Sequence, residues 1–169
     1  MPLEIEKKFL LSTDGIPSLA LWPVSMETEK IAQVYLVPHD AKITSERVRM
    51  SMCGRNGDIT YTHTTKVRIT DGVHEEENHK ISESKYSELL YRLDPGMSTI
   101  LKTRCVFTWE NQVFELDVFA GPLLGLAVLE IELTSMGVEV KLPPWLRIER
   151  EVTAEPGFTN AALARKSGL

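Results

Sequence analysis

The chain has 169 residues, of which 43% are hydrophobic and 25% charged, a composition typical of globular proteins. This length predicts one domain, residues 1–169, with a core of its own. Lys and Arg total 19 against 24 Asp and Glu, so the net charge is −5, which disfavours a nucleic-acid partner. The apolar runs are far shorter than the ~20 residues of a membrane span, so no membrane partner is expected.

Targeting and redox signals are also sparse. The start of the chain lacks the basic and then apolar pattern of a signal peptide. Cys53 and Cys105 provide neither a disulfide framework nor metal-ligand spacing. We therefore expect a cytoplasmic location, where thiols stay reduced.

Taken in chain order, the first predicted feature is an irregular segment over Ser12–Glu29, which contains two prolines and an Asp-Gly pair. Apolar residues on one face predict a helix over Ser84–Leu93, ended by Asp94-Pro95-Gly96. A second helix is predicted over Thr159–Lys166, with Thr159 as N-cap and Gly168 after its end. Most of the remaining sequence is typical of strands.

Several of these predicted strands carry two like charges two residues apart. Five of them have an apolar residue between the charges, and a sixth has Thr: Glu4-Ile5-Glu6, Arg47-Val48-Arg49, Lys66-Val67-Arg68, Glu115-Leu116-Asp117, Glu130-Ile131-Glu132 and Lys102-Thr103-Arg104. In a strand, side chains at i and i+2 lie on the same face, about 6–7 Å apart, so the like charges repel.

Two interpretations of these doublets remain open on spacing alone. Each doublet could lie on a solvated outer face, where the repulsion is weak. Alternatively, acidic doublets could bind a hard cation such as Mg²⁺, and basic doublets could bind phosphate. The second interpretation requires an inside-out barrel whose polar interior holds both, with the apolar residues between the charges facing outward.

The order of these segments resembles the CYTH superfamily, also called triphosphate tunnel metalloenzymes. Glu4-Ile5-Glu6-Lys7-Lys8 is similar to its N-terminal ExExK signature. The segments that resemble its later strands follow in the family's order: Gln33–Leu36, Arg47–Arg49, Thr65-Lys66, Lys102–Arg104, Phe114–Gly121 and Leu129–Leu133. Glu151–Thr153 and Asn160–Ala164 resemble the tail of the small bacterial members.

The resemblance implies an α+β fold, an eight-stranded antiparallel β-barrel (tunnel) with a charged lumen and helices packed outside. It also implies Mg²⁺ or Mn²⁺ as cofactor and a triphosphate small molecule as substrate, and it allows a homodimer. The residues it assigns to the metal are Glu4, Glu6, Asp117, Glu130 and Glu132. Those assigned to the triphosphate are Lys8, Arg47, Arg49, Lys66, Lys102 and Arg104.

The resemblance further implies catalytic roles for four residues: Lys8, Tyr35, Lys102 and Glu4. It pairs Tyr35 with Lys102, which would assist the leaving group or position water. As a hypothesis on mechanism, either a second Mg²⁺ or an acid such as Glu4 would orient the attacking water. Glu115 shares a face with Asp117 and is a candidate supporting residue.

The sequence departs from the family pattern at His74–Ile81, where the family usually has Arg-x-Glu-x-Glu. Anchoring on Ile81 places His74 at the Arg and Glu76 at the first Glu, with Asn78 at the second. A shift by one residue would use Glu75 and Glu77 instead, and would turn every side chain to the other face. We prefer Glu76, and we treat His74 as a candidate phosphate contact. The other three histidines, His39, His63 and His79, are expected to be surface or hydrogen-bonded residues.

The expected activity is hydrolysis of inorganic tripolyphosphate to pyrophosphate and phosphate. The alternatives are a class IV adenylate cyclase, a thiamine triphosphatase, and a polyphosphate- or nucleotide-binding module without turnover. The two alternative enzymes need a pocket for an organic group, and no such pocket is evident from the sequence.

Overall fold

Nine antiparallel strands and two short helices make up the part of the chain that the computed structural model describes, residues 2–165. The helices are α1 (Glu83–Leu89) and α2 (Asn160–Ala164). The strands are β1 (Leu3–Ser12), β2 (Met26–Leu36), β3 (Ser45–Cys53), β4 (Ile59–Thr70), β5 (Val73–Ile81), β6 (Ile100–Trp109), β7 (Gln112–Phe119), β8 (Leu126–Glu132) and β9 (Arg150–Glu151). No helix within residues 2–165 combines the length and the apolar character needed to cross a membrane.

The sheet closes on itself through β1. Its Leu3–Ile5 segment pairs with β5, and its Glu6–Ser12 segment pairs with β8. The other neighbours follow in the order β5-β4-β3-β2-β6-β7-β8-β1. We call the pairing of β1 with β5 the seam; the short β9 pairs with a later part of β1, at Phe9 and Leu10. The eight-stranded antiparallel barrel expected from the sequence is therefore confirmed, and closure leaves its strands without long free edges.

Gly72 forms the turn at the seam. Its φ is +73°, and a Cβ there would lie 2.7 Å from the carbonyl oxygen of Glu6. The Gly72 carbonyl accepts a hydrogen bond from the backbone N–H of Glu6 at 2.9 Å. A side chain at this position would disturb the backbone that carries Glu6.

The pairing register turns the charged doublets toward the barrel interior, except that Arg68, near the end of β4, is exposed and forms an ion pair with Asp71. Arg104 is opposite Asp117 on β7, and Glu130 on β8 is opposite both Glu115 and Lys8. The residues between the charges face outward: Val48 and Leu116 have no exposed surface, and Ile131 is 3% exposed. The inside-out interpretation is confirmed, and the solvated-face interpretation is wrong for the doublets.

The outer surface is covered partly by α1. Leu89 of α1 packs with Val34, Leu36 and Val48, and the Ser82 hydroxyl caps the helix by accepting a hydrogen bond from the N–H of Lys85 at 3.0 Å. The predicted helix over Ser84–Leu93 is observed as α1 followed by a 3-10 turn, Leu90–Arg92.

On the opposite side, irregular segments rather than helices cover the barrel. Trp22, Trp145 and Leu146 pack on the outward residues Phe107 and Phe114, so the tryptophans whose segments flank the barrel act as packing anchors. The segment predicted to stay irregular to Glu29 ends earlier, because β2 begins at Met26 and pairs with Phe107 of β6.

The second helix, α2, lies across one end of the barrel. Ala164 is fully buried against four interior-facing residues, Tyr35, Ile100, Phe119 and Val128. We call these apolar residues the floor of the lumen. Because α2 shields them from water, it lies across the end of the barrel and not on its side. Thr159 is its N-cap, as predicted, and accepts a hydrogen bond from the N–H of Ala162 at 3.0 Å. The predicted continuation to Lys166 and Gly168 lies outside the described residues.

Candidate active site

The interior face gathers all of the predicted site residues into one lumen. The register places them there from seven of the eight barrel strands and Tyr35 from the eighth: Glu4, Glu6, Lys8, Tyr35, Arg47, Arg49, Lys66, His74, Glu76, Lys102, Arg104, Glu115, Asp117, Glu130 and Glu132. Segments far apart in sequence therefore bring opposite charges together in a low-dielectric space, where each contact is stronger than in water.

Asp117 lies deep in the lumen and has no exposed surface. Arg104 binds it with Nε at 2.7 Å from Oδ1 and Nη2 at 2.9 Å from Oδ2, and Lys102 Nζ lies 2.7 Å from Oδ2. Both oxygens of Asp117 are thus held by cations. In the structure this carboxylate is the counterion of Lys102 and Arg104, the two cations that we call the basic wall.

The same cluster shifts the pKa values of its members. Burial opposes ionisation of Asp117, but Lys102 and Arg104 outweigh it and hold the pKa of this carboxyl well below its usual range. Burial lowers the pKa of Lys102 to about 8, although Asp117 acts in the opposite direction. The ammonium group of Lys102 therefore loses its proton more readily than the guanidinium group of Arg104.

Arg47 and Arg49 have no carboxylate partner among the described residues. The Nε atom of Arg47 is buried without a hydrogen-bond partner, and Arg49 donates from Nε and Nη2 to Gln33 Oε1 at 3.0 and 2.6 Å. Burial, and then the neighbouring Arg47 and Arg104, lower the pKa of Arg49 to about 10. Arg47 is buried and Arg49 is half-buried, and two such guanidinium groups without a counterion form a site for an anion.

Lys8 lies between two acids at the middle of the lumen. Its Nζ is 3.5 Å from Glu6 Oε1 and 3.7 Å from Glu130 Oε1, with about a tenth of the side chain exposed. Burial would lower its pKa, but Glu130 and Glu6 raise it above the usual value. The ammonium group is therefore charged at neutral pH.

Lys66 bridges two carboxylates across the seam. Its Nζ lies 3.1 Å from Glu4 Oε2 and 3.1 Å from Glu76 Oε2. Glu76 is therefore on the lumen side, and the strand register anchored on Ile81 is the one observed. Burial and the hydrogen bond with Glu76 raise the pKa of Glu4 to about 8, whereas Glu4 and Lys66 lower that of Glu76 to about 2 against the effect of burial.

Five acids line a cavity of about 360 Å³ at the end of the lumen opposite the floor. They are Glu4, Glu6, Glu115, Glu130 and Glu132. Glu132 is exposed at its rim, whereas Glu115 holds Arg104 Nη1 at 2.5 Å. We call this opening the acidic mouth; its oxygen-rich lining suits a hard divalent cation.

His74 lies on the lumen face opposite Glu4. Burial, followed by the nearby Lys66 and Lys8, lowers the pKa of His74 to about 4, so its ring is neutral near pH 7. The candidate role of His74 as a phosphate contact requires an N–H donor. At neutral pH the ring carries no charge, so such a contact would be a hydrogen bond from the neutral imidazole.

Tyr35 does not pair with Lys102 as the resemblance implied. Its hydroxyl accepts a hydrogen bond from Gln33 Nε2 at 2.8 Å, while Lys102 donates to Asp117 and, at 3.4 Å, to Asn160 Oδ1 of α2. No hydrogen bond joins Tyr35 to Lys102 within the described part of the chain.

Sequence reasoning missed Gln33 and Asn160 as members of the site. Gln33 has no exposed surface and orients both Arg49 and Tyr35, while Asn160 brings α2 to the basic wall. The signal for Gln33 was available, because it lies two residues before Tyr35 on the same strand and therefore on the same face.

The known proteins that this chain resembles include inorganic triphosphatases. The chain is 32% identical over 165 residues to an inorganic triphosphatase of Acetivibrio thermocellus, which covers 98% of this chain and 95% of that protein. The crystal structure of the inorganic triphosphatase NE1496 superposes with a TM-score of 0.58 at 30% identity, over 95% of this chain and 97% of the other.

A more distant structure shares the fold. HpAC1 from Hippeastrum, an adenylyl cyclase candidate with a dominant triphosphatase activity, gives a TM-score of 0.52 at 19% identity, over 80% of each chain. A scan against protein-family models gave no match.

Proposed function

The chain belongs to the inorganic triphosphatase family, and we propose that it hydrolyses inorganic tripolyphosphate to pyrophosphate and phosphate with the help of Mg²⁺ or Mn²⁺. The proposal extends the family's activity to a particular substrate, a metal and a set of residue roles.

The observation that carries the proposal is the buried positive charge beside the acidic mouth. Arg47 and Arg49 are enclosed and have no carboxylate partner among residues 2–165, and Lys8 and Lys66 lie on the same interior face. Burying such charges unpaired is costly, so the arrangement favours an anionic ligand that completes it. A linear triphosphate offers several oxygens to these donors at once.

The acidic mouth fits a divalent cation, because its donors are carboxylate oxygens that converge on one cavity. Glu4, Glu6, Glu130 and Glu132 are the residues we propose to hold it. When bound, Mg²⁺ or Mn²⁺ neutralises phosphate charge and polarises the phosphorus. Since both oxygens of Asp117 are held by Arg104 and Lys102, the geometry lends no support to its predicted place in this set.

The chain's own residues supply orientation and charge, which is most of what phosphoryl transfer requires. Lys8, Arg47 and Arg49 would hold the phosphates, and Arg104 and Lys102 would stabilise the charge that develops on the leaving pyrophosphate. A divalent cation held nearby would lower the raised pKa of Glu4 and keep its carboxylate ionised. In that form Glu4 would orient the attacking water and accept its proton as the new P–O bond forms and the P–O bond to pyrophosphate breaks.

The inorganic substrate is favoured over an organic triphosphate by the content of the lumen. The aromatic rings on its interior face, Tyr35 and Phe119, are packed into the floor under α2, so they are not free to stack on a base or a thiazole. This observation disfavours the adenylate cyclase and thiamine triphosphatase alternatives.

A substrate panel tests the proposal. The purified protein is assayed with tripolyphosphate, ATP and thiamine triphosphate, each with Mg²⁺, with Mn²⁺ and with EDTA. We expect phosphate release from tripolyphosphate far above the other two, and its loss in EDTA. Formation of cyclic AMP would support the cyclase instead, and saturable binding without release would support the module without turnover.

A further inference from the structure

His74 and two acids from the facing strand form a compact group of ligand atoms. One ring nitrogen of His74 and one carboxylate oxygen from each of Glu4 and Glu6 all lie within 4.8 Å of one another. Ligand atoms around a first-row divalent ion are roughly 3–4 Å apart, since each lies about 2.0–2.2 Å from the metal. Small side-chain rotations would therefore let these three residues surround one ion.

The imidazole of His74 is incompletely satisfied where it stands. Its Nδ1 atom is buried and has no hydrogen-bond partner among the residues that the structure describes. A buried polar atom without a partner destabilises the fold, and such atoms are uncommon enough to need an explanation. A ligand that binds the ring would remove this cost, and an acid-rich surrounding favours a cation as that ligand.

The two acids of the group are held by lysines in the structure. Lys66 lies 3.1 Å from Glu4, and Lys8 lies 3.5 Å from Glu6. Both lysines are among the residues proposed to bind the triphosphate. A bound triphosphate would draw their ammonium groups toward phosphate oxygens, and Glu4 and Glu6 would then be available to an ion.

We propose that His74 provides a nitrogen ligand to a divalent cation held together with Glu4 and Glu6, and that this nitrogen shifts the metal preference from Mg²⁺ toward Mn²⁺, Co²⁺ and Zn²⁺. Carboxylate and water ligands suit Mg²⁺, whereas an imidazole nitrogen suits the transition metals. The inference rests on the proposed function for the two acids, and it adds the histidine and the metal selectivity.

Pulsed EPR of the protein loaded with Mn²⁺ and the product pyrophosphate, whose oxygens can draw Lys8 and Lys66 away from the two acids, gives a readout that is independent of turnover. We expect the echo modulation of a directly bound histidine nitrogen in the unsubstituted protein, its change on labelling with ¹⁵N-histidine, and its loss in His74→Gln. His79→Gln is the matched control, because His79 is exposed on the opposite face of the same strand, and the modulation should persist there.

A competition titration tests the selectivity. His74→Gln should weaken Zn²⁺ and Mn²⁺ binding by about tenfold or more and leave Mg²⁺ binding almost unchanged. The ¹⁵N labelling needs no variant, so the test stands even if His74→Gln does not fold.

The outcomes separate this inference from the proposed function. Bound Mn²⁺ without nitrogen modulation, in a protein that hydrolyses tripolyphosphate, would overturn the role of His74 and leave the function in place. Hydrolysis that persists in EDTA, with no detectable Mn²⁺ binding, would overturn both the histidine ligand and the metal requirement.

Discussion

At the residue scale, the basic wall depends on one buried carboxylate. The sequence identified Asp117 as a member of an acidic doublet on the interior face, and its position is confirmed. Its partners could not be predicted, because which cation meets which acid depends on the stagger between β6 and β7, and a doublet alone does not reveal that stagger. The structure shows that Arg104 and Lys102 share this acid.

The lowered pKa of Lys102 predicts a pH dependence. Burial places that pKa at about 8, so the ammonium group loses its charge as the pH rises through this value and retains it below. We expect kcat/KM for tripolyphosphate to fall about tenfold per pH unit above pH 8. Lys102→Arg, which stays charged, should lack this alkaline decline; an unchanged profile in that variant would contradict the assignment.

Removal of the charge on Asp117 should destabilise the fold. Asp117→Asn leaves Lys102, whose side chain has no exposed surface, without its counterion, and breaking a buried pair in this way costs about 3–5 kcal/mol. Urea denaturation measures the loss. The double variant Asp117→Asn with Lys102→Met should recover part of it, and a loss below about 1 kcal/mol would show that water reaches the pair.

Two neighbours on β1 test the interior face directly. Lys8 faces the lumen, whereas Lys7 is paired with Ile131 and faces outward. Lys8→Met should reduce kcat/KM for tripolyphosphate by about 10²–10³, the range seen when one transition-state donor is removed, and Lys7→Met should leave it almost unchanged. Equal effects of the two substitutions, in proteins with native circular dichroism, are the result that our register does not allow.

At the element scale, a second buried carboxylate joins the barrel to the end of α1. Glu46 of β3 is 1% exposed and faces outward. It accepts hydrogen bonds from Arg92 of the 3-10 turn at 2.6 and 3.1 Å, and it contacts His39 at 2.8 Å and His63 at 2.7 Å. The sequence predicted both histidines as surface or hydrogen-bonded residues. It contained no sign of the Glu46–Arg92 contact, because these two residues are 46 positions apart.

Glu46 should contribute stability that depends on pH. Burial opposes its ionisation, but Arg92 and His39 outweigh this effect and lower its pKa well below the usual range. A lowered carboxyl pKa stabilises the fold fully above the ordinary value near 4.5 and progressively less as the pH falls below it. Glu46→Gln should therefore cost about 1–3 kcal/mol at pH 7 and less at pH 4, as measured by urea denaturation.

The control for Glu46 is an exposed ion pair. Glu27 lies 3.8 Å from Arg55, and both side chains are 79% exposed, so Glu27→Gln should change stability by less than about 1 kcal/mol. A cost for Glu46→Gln that is equally small, or that grows on acidification, would show that its contacts do not hold the 3-10 turn on the barrel.

At the scale of the whole molecule, the sequence predicts the lumen better than the surroundings of the lumen. Alternation fixes the face of each side chain within a strand, so six doublets were enough to indicate a charged interior. The segments that cover the barrel show no such periodicity in their sequence. The Trp22 and Trp145 segments pack without regular structure, and α2 lies across the floor because Tyr35, Ile100, Phe119 and Val128 leave an apolar end that must be buried.

The central claim is that acids and bases from separate strands act on one triphosphate inside this barrel. A crystal structure of the protein with tripolyphosphate and Mn²⁺, with the metal located by its anomalous signal, tests it most directly. The account predicts phosphate oxygens against Lys8, Arg47 and Arg49, with Mn²⁺ between the phosphates and the acids of the mouth. Tripolyphosphate bound on the outer surface, with the lumen cations still turned only to their carboxylates, would contradict it.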